Sequence, residues 1–129
     1  MTFLLVAAGG AAGSLARWGL GGWIQGTTGA AFPWGTLVVN VIGCAAIGAL
    51  AAFAPRWGLP EPWRIGLQVG VLGGFTTFSS YAVEAQQLVD GAHLAVAALY
   101  LALTVVAALV AVVLGLTATR RAVGLVGRA

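Results

Sequence analysis

Apolar residues dominate the chain in four long runs, separated by short stretches that contain proline, glycine or charged residues. A helix needs roughly 20 predominantly apolar residues to cross a membrane. The pattern therefore predicts four transmembrane helices, at about residues 3–23, 34–53, 63–89 and 93–117. Together they occupy almost the whole chain, so we predict an all-α membrane protein with a single four-helix domain over residues 1–129.

Helix-breaking residues set the expected boundaries. Pro33 precedes the second run, and proline is favoured at a helix start because its missing amide proton is tolerated there. Pro55, Pro60 and Pro62 predict a loop after that helix, and Asp90 with Gly91 is expected to end the third helix. No basic segment precedes the first run, so we expect a retained helix rather than a cleaved signal.

The third predicted helix is too polar and too rich in glycine for an ordinary lipid-facing span. Gly66, Gly70 and Gly74 recur every four residues and form a bare stripe suited to close helix packing. Residues 73–80 then combine two glycines with four hydroxyl side chains, at Thr76, Thr77, Ser79 and Ser80. Glycine weakens a helix, and Thr and Ser compete for its hydrogen bonds, so this segment predicts a break. A break at membrane depth must be buried in protein or line a wet cavity, where its freed carbonyl oxygens could ligate a cation such as Na⁺.

Several polar and aromatic side chains around this segment are candidates for ion chemistry. Thr77, Ser80, Tyr81 and Glu84 fall at helical spacing within about a 100° sector, which predicts one polar stripe facing the bundle interior. Glu84 lies near the helix end, so both a functional and an interfacial role stay open.

Two further candidates admit two interpretations each. Asn40, in the otherwise apolar second helix, could form an interhelical hydrogen bond or donate to a dehydrated anion. Phe78 and Tyr81 project from nearly one face, where aromatic rings usually only pack. Their electropositive ring edges could nevertheless hold a small anion.

Composition and charge narrow the class of protein. The chain is 60% hydrophobic and 7% charged, with a mean hydropathy of +1.01, which excludes a soluble domain. It has no phosphate-binding loop, metal-ligand cluster or Ser/His/Asp set, so we do not expect an enzyme. Its basic residues flank apolar segments, which argues against nucleic acid as a partner. The single cysteine, Cys44, is expected to be a buried small hydrophobe.

The arginines predict the orientation in the membrane. Five of the six are expected at one end, with both chain termini: Arg56, Arg64, Arg120, Arg121 and Arg128. The other end has none in its loops, although Arg17 could approach it. The positive-inside rule then predicts cytoplasmic termini.

Three stretches resemble the Fluc (CrcB) family of fluoride channels, in its order and spacing. They are residues 9–18 (GGAAGSLARW), 33–43 (PWGTLVVNVIG) and 73–81 (GGFTTFSSY), and together they extend the resemblance over essentially the whole chain. The resemblance implies a passive, fluoride-selective channel that exports cytoplasmic fluoride across the cell membrane and relieves its toxicity. It also implies small four-helix subunits that pair antiparallel, with Na⁺ held at the dimer centre.

The resemblance assigns roles to individual residues. The carbonyls that hold Na⁺ in the family match those of Gly73 and Thr76, and the pore phenylalanines match Phe78 and Tyr81. The pore asparagine matches Asn40. Ser79 and Ser80 correspond to the family's hydroxyl track, which Thr104 of the fourth helix is expected to join.

Two features depart from the family pattern. Tyr81 stands where the family usually has phenylalanine, and its hydroxyl could bind fluoride directly or alter its path. An antiparallel homodimer needs subunits that insert in both orientations, which the strong arginine bias opposes. A heterodimer with an oppositely oriented paralogue is therefore kept beside the homodimer.

Two other functions are compatible with a small four-helix membrane protein. A proton-coupled exporter of the small multidrug type would need a carboxylate in the first helix, where this chain has only Arg17. A non-transporting assembly subunit would use the polar stripe only to hold helices together.

Overall fold

The computed structural model describes residues 1–29 and 31–126, and Arg128 lies outside these residues. The described chain is helical, in the following order: α1 Thr2–Thr28, α2 Trp34–Arg56, α3 Glu61–Ile65, a π-helical segment Gly66–Leu72, α4 Gly73–Phe75, α5 Ser79–Asp90 and α6 Leu94–Val126. The predicted all-α class is confirmed. Three helices are long and apolar enough to cross a membrane, namely α1, α2 and residues 94–124 of α6.

The first helix is longer than the predicted 3–23. Its last turn is polar, but Thr27 and Thr28 donate their hydroxyl protons back to the carbonyls of Ile24 and Gln25, at 2.9 and 3.2 Å. These bonds partner the two hydroxyls within their own helical turn. Gly29 then ends the helix in the left-handed conformation at φ 57°, which glycine adopts without steric cost.

The second and fourth predicted helices also extend further than expected. Pro55 and Arg56 belong to the last turn of α2 and not to the loop. After the proline, the Leu59 amide donates to the Ala54 carbonyl at 3.1 Å, so this carbonyl near the helix end is paired. The final helix continues from the predicted 117 to Val126, since residues 118–123 contain no glycine or proline and are rich in alanine and arginine.

Glycines allow the helices to approach closely in two pairs. The predicted stripe packs on α1: a Cβ added at Gly70 would lie 2.9 Å from the Val6 carbonyl oxygen, and one at Gly74 would lie 2.5 Å from that of Gly10. In the second pair, α2 meets α6, where a Cβ on Gly115 would collide with the Ala45 carbonyl. Such small-residue contacts replace the hydrophobic drive that is lacking between helices in lipid.

A small buried cluster fixes α5 against these helices. Tyr81, Ala85 and Leu88 point from α5 toward Leu37 of α2, and Tyr100 of α6 is fully buried among them. The cluster holds α5 at the place where the chain re-enters a helix after Phe75, and thereby positions residues 76–78.

Candidate functional site

The chain leaves its helix between α4 and α5, inside the stretch of glycines and hydroxyls. Thr76 is extended, with φ −83° and ψ 157°, and α5 begins at Ser79. The Thr76 amide still donates to the Leu72 carbonyl at 3.0 Å, and the Thr76 hydroxyl donates to the same oxygen at 3.0 Å. Residues 76–78, called the interruption below, therefore begin immediately after a complete helical turn.

Asn40 of α2 holds the interruption with both ends of its amide. Its Nδ2 donates to the Thr77 carbonyl at 2.9 Å, and its Oδ1 accepts from the Thr77 amide at 2.8 Å. Asn40 is 9% exposed, so these bonds are made away from bulk solvent. An amide nitrogen carries two protons, which leaves one proton of Asn40 for a second acceptor.

This arrangement releases two main-chain carbonyls. In an α-helix the Thr77 amide would donate to the Gly73 carbonyl, but here it donates to Asn40. The Ser80 amide would likewise donate to the Thr76 carbonyl, but it donates to the Thr77 hydroxyl at 3.1 Å. The carbonyls of Gly73 and Thr76 thus lose their usual helical donors, and they are the two that the family resemblance assigns as cation ligands.

The Gly74 carbonyl, between these two, is engaged by α1. Arg17 donates from its Nε at 3.1 Å, and the Ser14 hydroxyl approaches the same oxygen at 3.5 Å. Arg17 therefore faces the interruption, although it was not predicted as a site residue. Its signal was an arginine inside an apolar helix, which is costly enough to mark a functional candidate.

One cavity, called the aromatic cavity, opens beside the interruption and has a volume of about 230 Å³. Asn40 and Cys44 of α2, Thr104 of α6, Phe78 and Tyr81 are among the residues that line it. The Thr104 hydroxyl is buried and has no hydrogen-bond partner in the part of the chain that the structure describes. A threonine in a helix usually bonds back to the preceding turn, so an unpaired hydroxyl facing a cavity indicates space for a ligand.

The two aromatic rings of this cavity are adjacent but differ in exposure. The ring centroids of Phe78 and Tyr81 are 5.4 Å apart, with the planes tilted by 48°. Phe78 is 77% exposed on the surface of the subunit, whereas Tyr81 is 6% exposed. The Tyr81 hydroxyl donates to the Leu101 carbonyl of α6 at 2.9 Å, so its proton is already committed to the protein.

A second cavity, called the polar cavity, lies on the other side of α5 and has a volume of about 250 Å³. Thr77, Ser80 and Glu84 line it together with Arg17. The predicted single stripe is therefore divided, since Tyr81 faces the aromatic cavity instead. The reason is geometric: consecutive helical residues differ by about 100°, which turns Tyr81 away from Ser80 and across α5.

Hydroxyl groups hold these polar side chains in place. The Thr77 hydroxyl donates to Ser80 Oγ at 3.2 Å and lies 3.2 Å from Ser79 Oγ. Glu84 accepts one hydrogen bond from Thr36 and one from Tyr100, each at 2.7 Å. Glu84 is half-buried and bound to both α2 and α6, so it is not a solvated residue at the helix end. Thr36 and Tyr100 were not predicted as site residues, because only the packing of three helices brings them to this carboxylate.

The family profile described as CrcB-like protein, Camphor Resistance (CrcB), matches residues 4–116. The relatives include proteins named fluoride-specific ion channel FluC. One from Thermus thermophilus is 51% identical over 98 residues, covering 76% of this chain and 77% of the relative. One from Nitrobacter winogradskyi is 45% identical over 125 residues, covering 92% and 96%. One from Sorangium cellulosum is 46% identical over 114 residues, covering 88% and 90%.

Proposed function

We propose that this chain, which belongs to the CrcB family, forms a fluoride-selective channel that lets cytoplasmic fluoride leave the cell passively. Fluoride enters cells as the neutral weak acid and is trapped inside as the ion, so a path for the anion relieves toxicity. The observation that carries the proposal is the unpaired, buried hydroxyl of Thr104 in the aromatic cavity.

The aromatic cavity offers what a dehydrated small anion needs. A pore must replace the hydration shell of its ion with groups of its own. Thr104 supplies a free hydroxyl proton, and Asn40 supplies the amide proton that Thr77 does not use. The rings of Phe78 and Tyr81 supply electropositive edges without a full charge that would trap the ion.

The polar cavity extends this path on the other side of α5. Thr77 lines both cavities. Ser80, which lines this cavity, and the neighbouring Ser79 add hydroxyl groups that can act as donor or acceptor. Glu84, held by two hydroxyls, fixes the shape of this cavity, and Arg17 contributes a positive charge to its wall.

The interruption is suited to bind Na⁺ through the carbonyls of Gly73 and Thr76. Both oxygens have lost their helical donors to side chains, and unwound carbonyls are the usual ligands for Na⁺ inside membrane proteins. A cation there would supply positive charge at membrane depth, where an anion is otherwise costly.

Two subunits would complete this site. Two carbonyls from one subunit leave most of the coordination sphere of Na⁺ open, and a twofold axis through the site would double them. Phe78, at 77% exposure, also needs a partner surface if it is to line an enclosed path. An antiparallel homodimer, or a heterodimer with an oppositely oriented paralogue, fulfils both requirements.

The subunit belongs in the cell membrane as a multi-pass protein, surrounded by lipid. In this arrangement residues 61–90, the interrupted helical segment, form the fourth crossing beside α1, α2 and α6. Arginines at the end where both termini lie support cytoplasmic termini.

The test is to remove the Thr104 hydroxyl while keeping its shape. Thr104→Val should lower fluoride efflux from liposomes by about tenfold or more, because a hydrogen bond to a charged group contributes about 1.5–3 kcal/mol. Thr117→Val is the matched control on the same helix, since the Thr117 hydroxyl bonds only its own turn, at 2.8 Å from the Val113 carbonyl. Equal efflux from both variants would remove Thr104 from the proposed path.

A further inference from the structure

Two walls of the aromatic cavity are formed by faces of α2 and α6, and the lining residues have the same spacing along both helices. Asn40 and Cys44 are four residues apart on α2, and Thr104 and Ala108 are four residues apart on α6. Side chains at this spacing lie one above the other on a helix face. Each wall of the cavity therefore has one polar side chain, Asn40 or Thr104, and one small side chain a helical turn away, Cys44 or Ala108.

Cys44 is not the buried hydrophobe that the sequence suggested. It is half-buried and lines the aromatic cavity together with Thr104, Phe78 and Asn40. Thr104 is 4% exposed, and its hydroxyl is unpaired within the described chain, which independently indicates that the cavity takes a ligand. The thiol, the strongest nucleophile among these side chains, thus faces the space that we assign to fluoride.

We propose that Cys44 is a covalent modification site on the wall of the fluoride path, and that a small group attached to its sulfur closes this path. The inference rests on the proposed function. The reagents that fit are small, neutral, thiol-directed electrophiles, because the cavity is about 230 Å³ and mostly apolar.

The reaction with methyl methanethiosulfonate illustrates the chemistry. The Cys44 sulfur attacks the methylthio sulfur of the reagent, the S–S bond of the reagent breaks, and methanesulfinate leaves while the thiol proton passes to water. The thiol is oxidised to a mixed disulfide and the thiosulfonate is reduced to sulfinate. Dithiothreitol reverses the modification by thiol–disulfide exchange.

The attached group acts by occupying the cavity. A methylthio group on Cys44 would extend into the space between α2 and α6, beside the hydroxyl of Thr104. This apolar group offers no hydrogen-bond donor to an anion. It therefore excludes fluoride and its hydrating water from the part of the cavity that it fills.

The experiment measures fluoride efflux from liposomes before modification, after modification and after reduction, together with the mass of the protein. For the unaltered chain we expect a single added methylthio group, efflux reduced at least fivefold, and recovery with dithiothreitol. Cys44→Ala should give the same treated and untreated rates. Efflux before treatment tests the proposed function separately. If the untreated protein shows no fluoride efflux but Cys44 is still modified, the channel function is rejected while the thiol is shown to be accessible.

Moving the thiol tests its location. Cys44→Ala with Ala108→Cys places it on the opposite wall of the same cavity, and block by the reagent should return. Cys44→Ala with Ala98→Cys places it on the exposed surface of α6, and modification there should leave efflux unchanged. The proposal is overturned if Cys44 is modified without loss of efflux, if Cys44 stays unmodified, or if Cys44→Ala is blocked equally.

Discussion

At the scale of single residues, side chains replace helical hydrogen bonds around residues 76–78. Asn40 accepts a hydrogen bond from the Thr77 amide, and the Thr77 hydroxyl accepts one from the Ser80 amide. Buried polar groups need hydrogen-bond partners, and these two side chains supply them to main-chain amides that the interruption would otherwise leave unpaired in the membrane. From the sequence alone, Asn40 could either bond between helices or bind an anion. The structure shows the first role and leaves one amide proton for the second.

Tyr81 differs from the phenylalanine usual in the family, and its hydroxyl bonds the Leu101 carbonyl. Tyr81→Phe should therefore conduct fluoride, with efflux within about threefold of the original, and lower the unfolding free energy by about 1 kcal/mol through the lost bond. Tyr81→Ala should reduce efflux much more, because it removes the ring and opens the packing against Tyr100, 5.3 Å away.

Efflux and thermal unfolding of both variants test this assignment. If both conduct like the original chain, the ring has no part in the path. If Tyr81→Phe fails as badly as Tyr81→Ala while it remains folded, the hydroxyl itself contacts fluoride.

At the scale of elements, the central structural feature is that two carbonyls lack their helical donors. Asn40 removes the donor of the Gly73 carbonyl, and the Thr77 hydroxyl, which caps the start of α5, removes that of the Thr76 carbonyl. Thr77→Val removes the cap, so the Ser80 amide is free to return to the Thr76 carbonyl as in a continuous helix. We expect the variant to lose most of its stabilisation by Na⁺, measured as the rise in melting temperature when Na⁺ replaces a large organic cation.

Thr76→Val is the matched control for this experiment. It removes a hydroxyl that bonds only the Leu72 carbonyl, and it keeps the Thr76 main-chain oxygen and the side-chain shape beside Gly43. Its response to Na⁺ should match that of the original chain. A Thr77→Val variant that keeps its full response would remove the freed carbonyls from the proposed cation site.

The same elements show what a sequence can predict here. Apolar length and glycine spacing predicted the helices and the stripe that packs on α1, because both depend on local composition. The helix ends were less predictable, since α1 continues through Thr27 and Thr28, whose polar hydroxyls bond their own turn. Thr36 and Tyr100 could not be predicted as partners of Glu84, because their meeting depends on how α2, α5 and α6 pack.

At the scale of the whole molecule, charge is distributed unevenly along the bundle. Described arginines at Arg56, Arg64, Arg120 and Arg121 flank the helix ends on the side of the chain termini. Reporters at both termini should therefore show a cytoplasmic location in most molecules. Equal populations of reporters on both sides of the membrane would contradict a fixed orientation. A homodimer could then form without an oppositely oriented paralogue.

Charge substitutions sharpen this test of orientation. Replacing Arg120 and Arg121 with Gln should increase the fraction of inverted molecules, because positive charges near helix ends set orientation. Glu61→Gln is the control at the same end and should change little, since acidic residues contribute little to this rule.

The most direct test of the account is efflux of fluoride from liposomes that contain the purified protein, measured with a fluoride electrode. We expect rapid fluoride efflux, no chloride efflux and no dependence on a proton gradient. Proton-coupled transport would indicate an exporter of the small multidrug type, and no transport of any ion would indicate an assembly subunit. Either result would contradict a fluoride channel built on the interruption at residues 76–78.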